Sequence, residues 1–192
     1  MVESRRPYDI DSLTDVAFAL FAKRGFDATS MDEIAKAAGI TKPSIYHHVT
    51  SKEALLRHGL ERALSALFAV LDERASREGT PRDRLAYVVR RVAEVTMRML
   101  PEVSVLFRVR GNSQTERDAR ERRRAFDSAV VELVRAAQAD GSLRGDLEPA
   151  LVTRLVFGLS NSVVEWYRPS GRTSAPDIAK AVCTLVFEGI SA

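Results

Sequence analysis

Residues 41–52 read TKPSIYHHVTSK, a run with a tyrosine and two adjacent histidines between two lysines and no acidic side chain. The spacing suits a short helix. Pro43 is tolerated in a first helical turn, where its missing N–H would have no partner anyway. Ile45 and Val49, four residues apart, share one apolar face. Lys42, Pro43, Ser44 and His47 fall on the opposite side, with Tyr46 and His48 on the flanks. Upstream, SMDE (30–33) has the form S-x-x-E, a capping box that opens a helix MDEIAKAA ending at Gly39. Only Ile40 and Thr41 separate that helix from the next, and Ile45 is expected to meet Ile34 and Ile40. Before it, Ile10, Leu13, Val16, Ala17, Leu20 and Phe21 form one apolar stripe that stops at the glycine of KRGF (23–26). After it, TSKE (50–53) is a second capping box, starting a long helix.

Two short helices joined by a glycine-containing turn, with a first helix packed across them, describe a helix-turn-helix. Its third helix is expected to end near Val49. Lysine, serine, histidine and a small apolar group on a short exposed helix suit the major groove, where lysine donates to guanine and apolar carbon meets a thymine methyl. Tyr46, His48 and Lys52 suit phosphate oxygens, as do Thr29 and Ser30 at the start of the second helix. The histidine pair is a poor metal site, because neighbours on a helix point about 100° apart. No H-E-x-x-H or cysteine pair is present either. Structural histidine and tyrosine roles remain the plainer alternatives for His48 and Tyr46.

The remainder reads as helix too, about nine helices in all, with no sustained two-residue alternation. Thr80-Pro81 begins a helix reaching about Met99, Pro101 breaks it, and VSVLFRV (103–109) is short and apolar. Helices follow over Gln114–Ala139, Glu148–Tyr167 and Ala175–Ile190. In TERDARERRR (115–124) the spacings Glu116/Arg120 and Arg117/Glu121 suit intrahelical ion pairs on a solvated face. Leu151, Leu155, Leu159, Val163 and Trp166 form one late stripe, and Ile178, Val182, Leu185 and Ile190 another. The composition, 45% hydrophobic and 29% charged over 192 residues, is that of a globular all-α chain. One cysteine, Cys183, excludes an intrachain disulfide, and 151–167 is too polar to span a bilayer. A cytoplasmic location without membrane attachment is expected. Residues 1–55 hold seven basic and eight acidic groups, so total charge does not attract DNA there and basic groups must be focused on one face. No nucleophile elbow, phosphate loop or acid–base pair indicates an enzyme, and nothing indicates a cofactor.

GITKPSIYHHVTSKEALL (39–56), preceded by FAKRGFDATSMDEIAKAA, resembles the DNA-binding domain of the TetR family of transcriptional repressors, over roughly residues 10–60. The resemblance implies a helix-turn-helix domain over 1–55 and a ligand-binding and dimerisation domain over 56–192. It makes Lys42, Pro43, Ser44 and His47 base readers and Tyr46, His48 and Lys52 phosphate contacts, with Thr41 at the helix start counted beside them. It also implies a homodimer formed by the last two helices, with Leu155, Leu159, Val163, Val182 and Leu185 as candidate interface residues. An ordinary intrachain core is the alternative for those stripes.

The ending SVVEWYRPSGRTSAPDIAKAVCTLVFEGI (162–190) is similar to a subgroup that regulates fatty-acid, phenylacetate and sterol catabolism and responds to acyl-CoA thioesters. That implies an amphipathic effector, with Phe107, Arg108, Arg110, Asn112, Asn161 and Trp166 as candidate pocket residues. The expected function is a repressor that binds a palindromic operator as a dimer and is released by a small effector. A multidrug sensor controlling an efflux gene and an activator using the same module are the alternatives.

Overall fold

The computed structural model describes residues 9–189, so Ile190 of the last stripe lies outside the described residues. Among these residues there are ten α-helices and no strand: α1 (Ile10–Arg24), α2 (Met31–Ala38), α3 (Lys42–Ile45), α4 (Lys52–Asp72), α5 (Arg74–Arg77), α6 (Pro81–Arg98), α7 (Leu100–Arg108), α8 (Gln114–Ala139), α9 (Pro149–Trp166) and α10 (Ala175–Phe187). The extra helix is α5. The long helix that follows TSKE stops at Asp72, and the chain opens at Glu73, whose backbone is extended. The Glu73 carboxylate there accepts Arg91 Nη2 at 2.9 Å and Arg91 Nε at 3.0 Å, and also the Tyr87 hydroxyl. Ion pairing to α6 thus competes successfully with continued helix.

The chain divides into two compact units. One comprises the residues up to Ala63 together with Pro101–Arg120, and the other Leu64–Leu100 together with Glu121 onward.

In the first unit, Asp9 and Ser12 cap α1 reciprocally, and Gly25 ends it at φ 92°. The expected box at Ser30 is present, with Glu33 reaching back, and Gly39 ends α2 in the left-handed conformation at φ 70°. Such a φ is nearly free for glycine and strained for other residues. The core is aliphatic and aromatic: Leu13, Phe18, Phe21, Ile34, Ile45, Leu55, Leu56 and Leu60 are all buried. Ile40, expected to close over Ile45, is only half-buried. The rings of Phe18 and Phe21 meet edge to face at 5.4 Å, and those of Phe21 and Phe26 at 5.2 Å. Gly59 makes close packing of α4 on α1 possible, since a Cβ there would lie 2.1 Å from Phe18 Cε2.

In the second unit, α6 packs closely against both α9 and α10. Phe126 of α8 stands between Phe68 and Phe157, at ring separations of 5.6 and 5.9 Å. No helix among the described residues is long and apolar enough to cross a membrane.

Candidate nucleic-acid interface

Helix α3 is shorter than the expected run to Val49. After Ile45 the chain tightens, with His47 N bonding Ser44 O at 3.2 Å and His48 N bonding Ile45 O at 3.0 Å, both three residues apart. Two histidines followed by β-branched Val49 and Thr50 are weak helix formers, which favours the tighter turn. The facing of the side chains is unaffected. Ile45 and Val49 are buried, while Thr41, Lys42, Pro43, Tyr46, His47 and His48 are exposed and Ser44 is half-buried. The Thr41 hydroxyl accepts from Ser44 N at 3.3 Å, which fixes the first turn.

Lys42 is exposed and engaged. Its Nζ lies 2.9 Å from Asp32 Oδ2, and this bond to Asp32 raises the lysine pKa. Both partners are largely solvated, so the pair contributes little to folding and the lysine remains displaceable.

Lys52 is placed differently from a free surface cation. Its ammonium donates to Phe26 O and Thr29 O, both at 2.7 Å, and sits 4.3 Å from the centroid of the Phe26 ring. These two bonds use two of its three N–H donors. Thr29 is buried, with its hydroxyl donating to Gly25 O at 2.8 Å, so its side chain is not displayed to solvent. The expectation of a phosphate contact through that side chain is therefore corrected. Thr29 stabilises the turn before α2, and its carbonyl receives Lys52. Ser30 is exposed but caps Glu33 N at 3.2 Å, while Glu33 Oε2 takes the Ser30 N–H at 2.8 Å. The Ser30 N–H bond is the largest influence holding the Glu33 carboxyl below its usual range.

The candidate pocket residues do not converge. Arg108, Arg110 and Asn112 line one cleft of about 360 Å³ within the first unit, against an apolar floor that includes Phe21, Phe26 and Leu56. Phe107 does not line that cleft, and Asn161 and Trp166 belong to the second unit. Trp166 is 54% exposed on α9, with Nε1 3.4 Å from Ser162 Oγ.

The ion pairs expected at the start of α8 are replaced by loop contacts. Glu116 Oε2 accepts the N–H groups of Arg110, Gly111 and Asn112 at 2.9, 2.7 and 3.0 Å. Arg120 donates to Arg110 O at 2.6 Å and Arg117 to Gly111 O at 3.2 Å. Burial pushes the Glu116 carboxyl up, but the three N–H groups outweigh it and the net pKa is lowered. The same loop is joined to α4 and α1. Ser113 Oγ donates to Glu53 Oε1 at 2.7 Å, and an Arg108 N–H to Ala22 O at 2.5 Å. Sequence reasoning missed these contacts because the partners are 60 and 86 residues apart.

The expected interface residues divide. Leu155 is 61% exposed, and Leu159 and Leu185 are exposed as well, whereas Val163 is fully buried and Val182 nearly so. Val163 and Val182 belong to the protomer's own core; each four-residue step advances about 40° round the helix, so Val163 lies about 80° from Leu155 and faces inward. Leu151, Leu155, Leu159 and Trp166 remain as an exposed apolar face along α9.

Comparison with known proteins fits this geometry. Residues 13–58 match the family described as bacterial regulatory proteins, tetR family, and residues 78–190 match the tetracyclin repressor-like C-terminal domain. The helix-turn-helix-type transcriptional repressor KstR2 of Rhodococcus jostii is 31% identical over 187 residues, covering 93% of this chain and 89% of the relative. A member of the TetR transcriptional regulator family from Streptomyces coelicolor superposes with a TM-score of 0.89 at 50% identity, covering 100% of this chain and 94% of that one. The ketosteroid transcriptional regulator KstR2 of Mycobacterium tuberculosis superposes with a TM-score of 0.86 at 28% identity, covering 100% and 97%.

Proposed function

The chain belongs to the TetR family of transcriptional regulators, and from that premise we propose that it is a homodimeric, effector-released repressor of a palindromic operator. The observation that carries this reading is α3 with its following turn. Ile45 and Val49 anchor the segment, and Lys42, Pro43, Tyr46, His47 and His48 stand exposed on it. In this reading Lys42, Pro43, Ser44 and His47 meet base edges. Tyr46, His48, the remaining N–H of Lys52, and Ser30 and Thr41 at the two helix starts meet the backbone. Residues 1–55 carry DNA binding, and residues 56–192 carry effector binding and dimerisation. The protein acts in the cytoplasm.

One such module touches few bases, so two copies about one helical turn apart, some 34–36 Å, are needed for affinity and palindromic specificity. The exposed face of Leu155, Leu159 and Trp166 with Leu185 supports dimerisation, since a large apolar patch in water favours a partner. Repression is supported by the repressor relatives at about a third identity. An acyl-CoA thioester is the proposed effector class, supported by the similarity of the ending (162–190) to the subgroup that responds to such thioesters. Effector binding favours a protomer arrangement whose recognition helices no longer match the groove spacing. The effect is limited by the differential affinity of the ligand for the two states.

The test is a gel shift on the intergenic DNA beside the protein's own gene, challenged with CoA thioesters and lipophilic drugs. Retarded DNA released by a thioester is the expected result. Release by drugs alone favours a multidrug sensor, and an upstream site that raises transcription favours an activator.

A further inference from the structure

Helix α2 opens with two carboxylates that are used differently. Glu33 is consumed by the fold: its Oε2 accepts the Ser30 N–H at 2.8 Å and the Ser30 hydroxyl at 2.9 Å, and its Oε1 meets Arg24 Nη1 at 2.9 Å. Asp32 takes no part in that cap. Its Oδ2 lies 2.9 Å from the Nζ of Lys42, the first residue of α3, and both side chains are more than half exposed. The bond to Asp32 raises the lysine pKa, so the ammonium stays charged. Oδ1 of Asp32 has no hydrogen-bond partner among the described residues.

A carboxylate on a surface that meets DNA is repelled by the phosphates. A hydrogen-bond donor on the DNA offsets that repulsion, and in the major groove the donors are the amino groups at cytosine N4 and adenine N6. The lysine decides between them. Its ammonium has three N–H donors, of which Asp32 takes one, so two remain for acceptors beside that amino group. Guanine, the partner of cytosine, offers two acceptors, O6 and N7. Thymine, the partner of adenine, offers O4 alone, flanked by its methyl group.

We propose that Asp32 and Lys42 act as one reading element for a single G·C pair, Lys42 donating to guanine and Asp32 accepting from cytosine N4. This rests on the reading of α3 as the base-contacting segment. It adds a specificity-determining residue from α2 and assigns the base pair. The carboxylate selects chiefly by exclusion. Opposite guanine O6 or thymine O4 it would face an acceptor, adding repulsion to an unmade hydrogen bond. Asparagine carries both an acceptor and a donor, so at this position it would tolerate either edge.

The test is selection from a pool of randomised duplexes by the full-length wild type, Asp32→Asn and Lys42→Met, with the melting temperature of each protein recorded. Wild type is expected to fix one G·C pair in each half-site. Asp32→Asn is expected to melt like wild type, to bind DNA more tightly overall, and to lose about tenfold of its preference at that pair. Lys42→Met is expected to relax the same pair. Relaxation of two different pairs by the two variants, or an Asp32→Asn selection identical to that of wild type, overturns the proposal while the palindromic operator stands. An Asp32→Asn protein that melts several degrees lower assigns the carboxylate to the fold, through the helix dipole, and overturns it too. A wild-type selection with no enriched sequence removes the reading of α3 and the proposal together.

Discussion

Lys42 and Asp32 form an ion pair at 2.9 Å, so the lysine proposed to meet a base edge is held by a carboxylate of the preceding helix. The pair is well solvated and adds little to stability. A phosphate-rich groove competes with it, and Asp32 adds a repulsive charge near that groove. Asp32→Asn is therefore expected to leave the melting temperature nearly unchanged and to tighten operator binding about three- to tenfold at low salt. Fluorescence anisotropy against labelled operator measures this. Equal or weaker binding would mean that Lys42 does not reach DNA.

Lys52 serves two ends. Its bonds to Phe26 O and Thr29 O hold the turn that leads into α2, and one N–H remains. Lys52→Met leaves two carbonyls without their charged donor, a loss of about 1–3 kcal/mol. It should lower the melting temperature and weaken binding to all sequences alike, with a shallower salt dependence. A variant that melts like wild type and loses only sequence preference would contradict this placement.

His47 is exposed on the turn after α3 and is the histidine assigned to a base. His47→Ala should relax preference at one position of each half-site by about 1–3 kcal/mol while leaving non-specific binding intact. Selection from a randomised operator library reads this directly. An unchanged preference would remove His47 from the reading surface.

Leu155 and Val163 lie on the same helix and are expected to fail differently. Leu155→Glu places a charge on an exposed apolar face, so the chain should stay folded and sediment as a monomer. Val163 is fully buried, so Val163→Ala should cost about 2 kcal/mol of stability without changing the association state. Sedimentation equilibrium and thermal melting separate the two. A Leu155→Glu protein that remains dimeric would move the interface elsewhere.

Glu116 gives a pH signature. Its folded-state pKa lies below the usual 4.5, so its contribution is present above that value and is lost as pH falls through the folded pKa. The stability difference between wild type and Glu116→Gln should be largest near neutral pH and shrink below about pH 4.5. Chemical denaturation at several pH values checks it. A difference that grows on acidification would contradict the sign.

What the sequence made legible was local. The S-x-x-E box at Ser30, Gly39 as terminator, Pro43 in a first turn and the four-residue spacing of Ile45 and Val49 each depend on neighbours within one or two turns, and each appears in the structure. What escaped was set by distant chain. The length of α4 depends on Glu73 meeting Arg91, and Thr29 turns inward because the loop after α1 folds over it. Nothing near Gly59 in the sequence marks it as the point where α4 meets Phe18, because that contact joins residues far apart in the chain. The late stripes illustrate the same limit. Periodicity grouped Leu155 with Val163 in one stripe and Val182 with Leu185 in another, but only packing decides which of each the protomer buries for itself.

The central claim, that α3 and its following turn read a palindrome as part of a dimer, is tested most directly by footprinting the intergenic DNA beside the gene with wild type and with Tyr46→Ala/His48→Ala. Wild type should protect two symmetric half-sites about one helical turn apart, and the double variant, folded by circular dichroism, should protect neither. Protection by the variant equal to that of wild type, or a single unpaired site, would contradict the account.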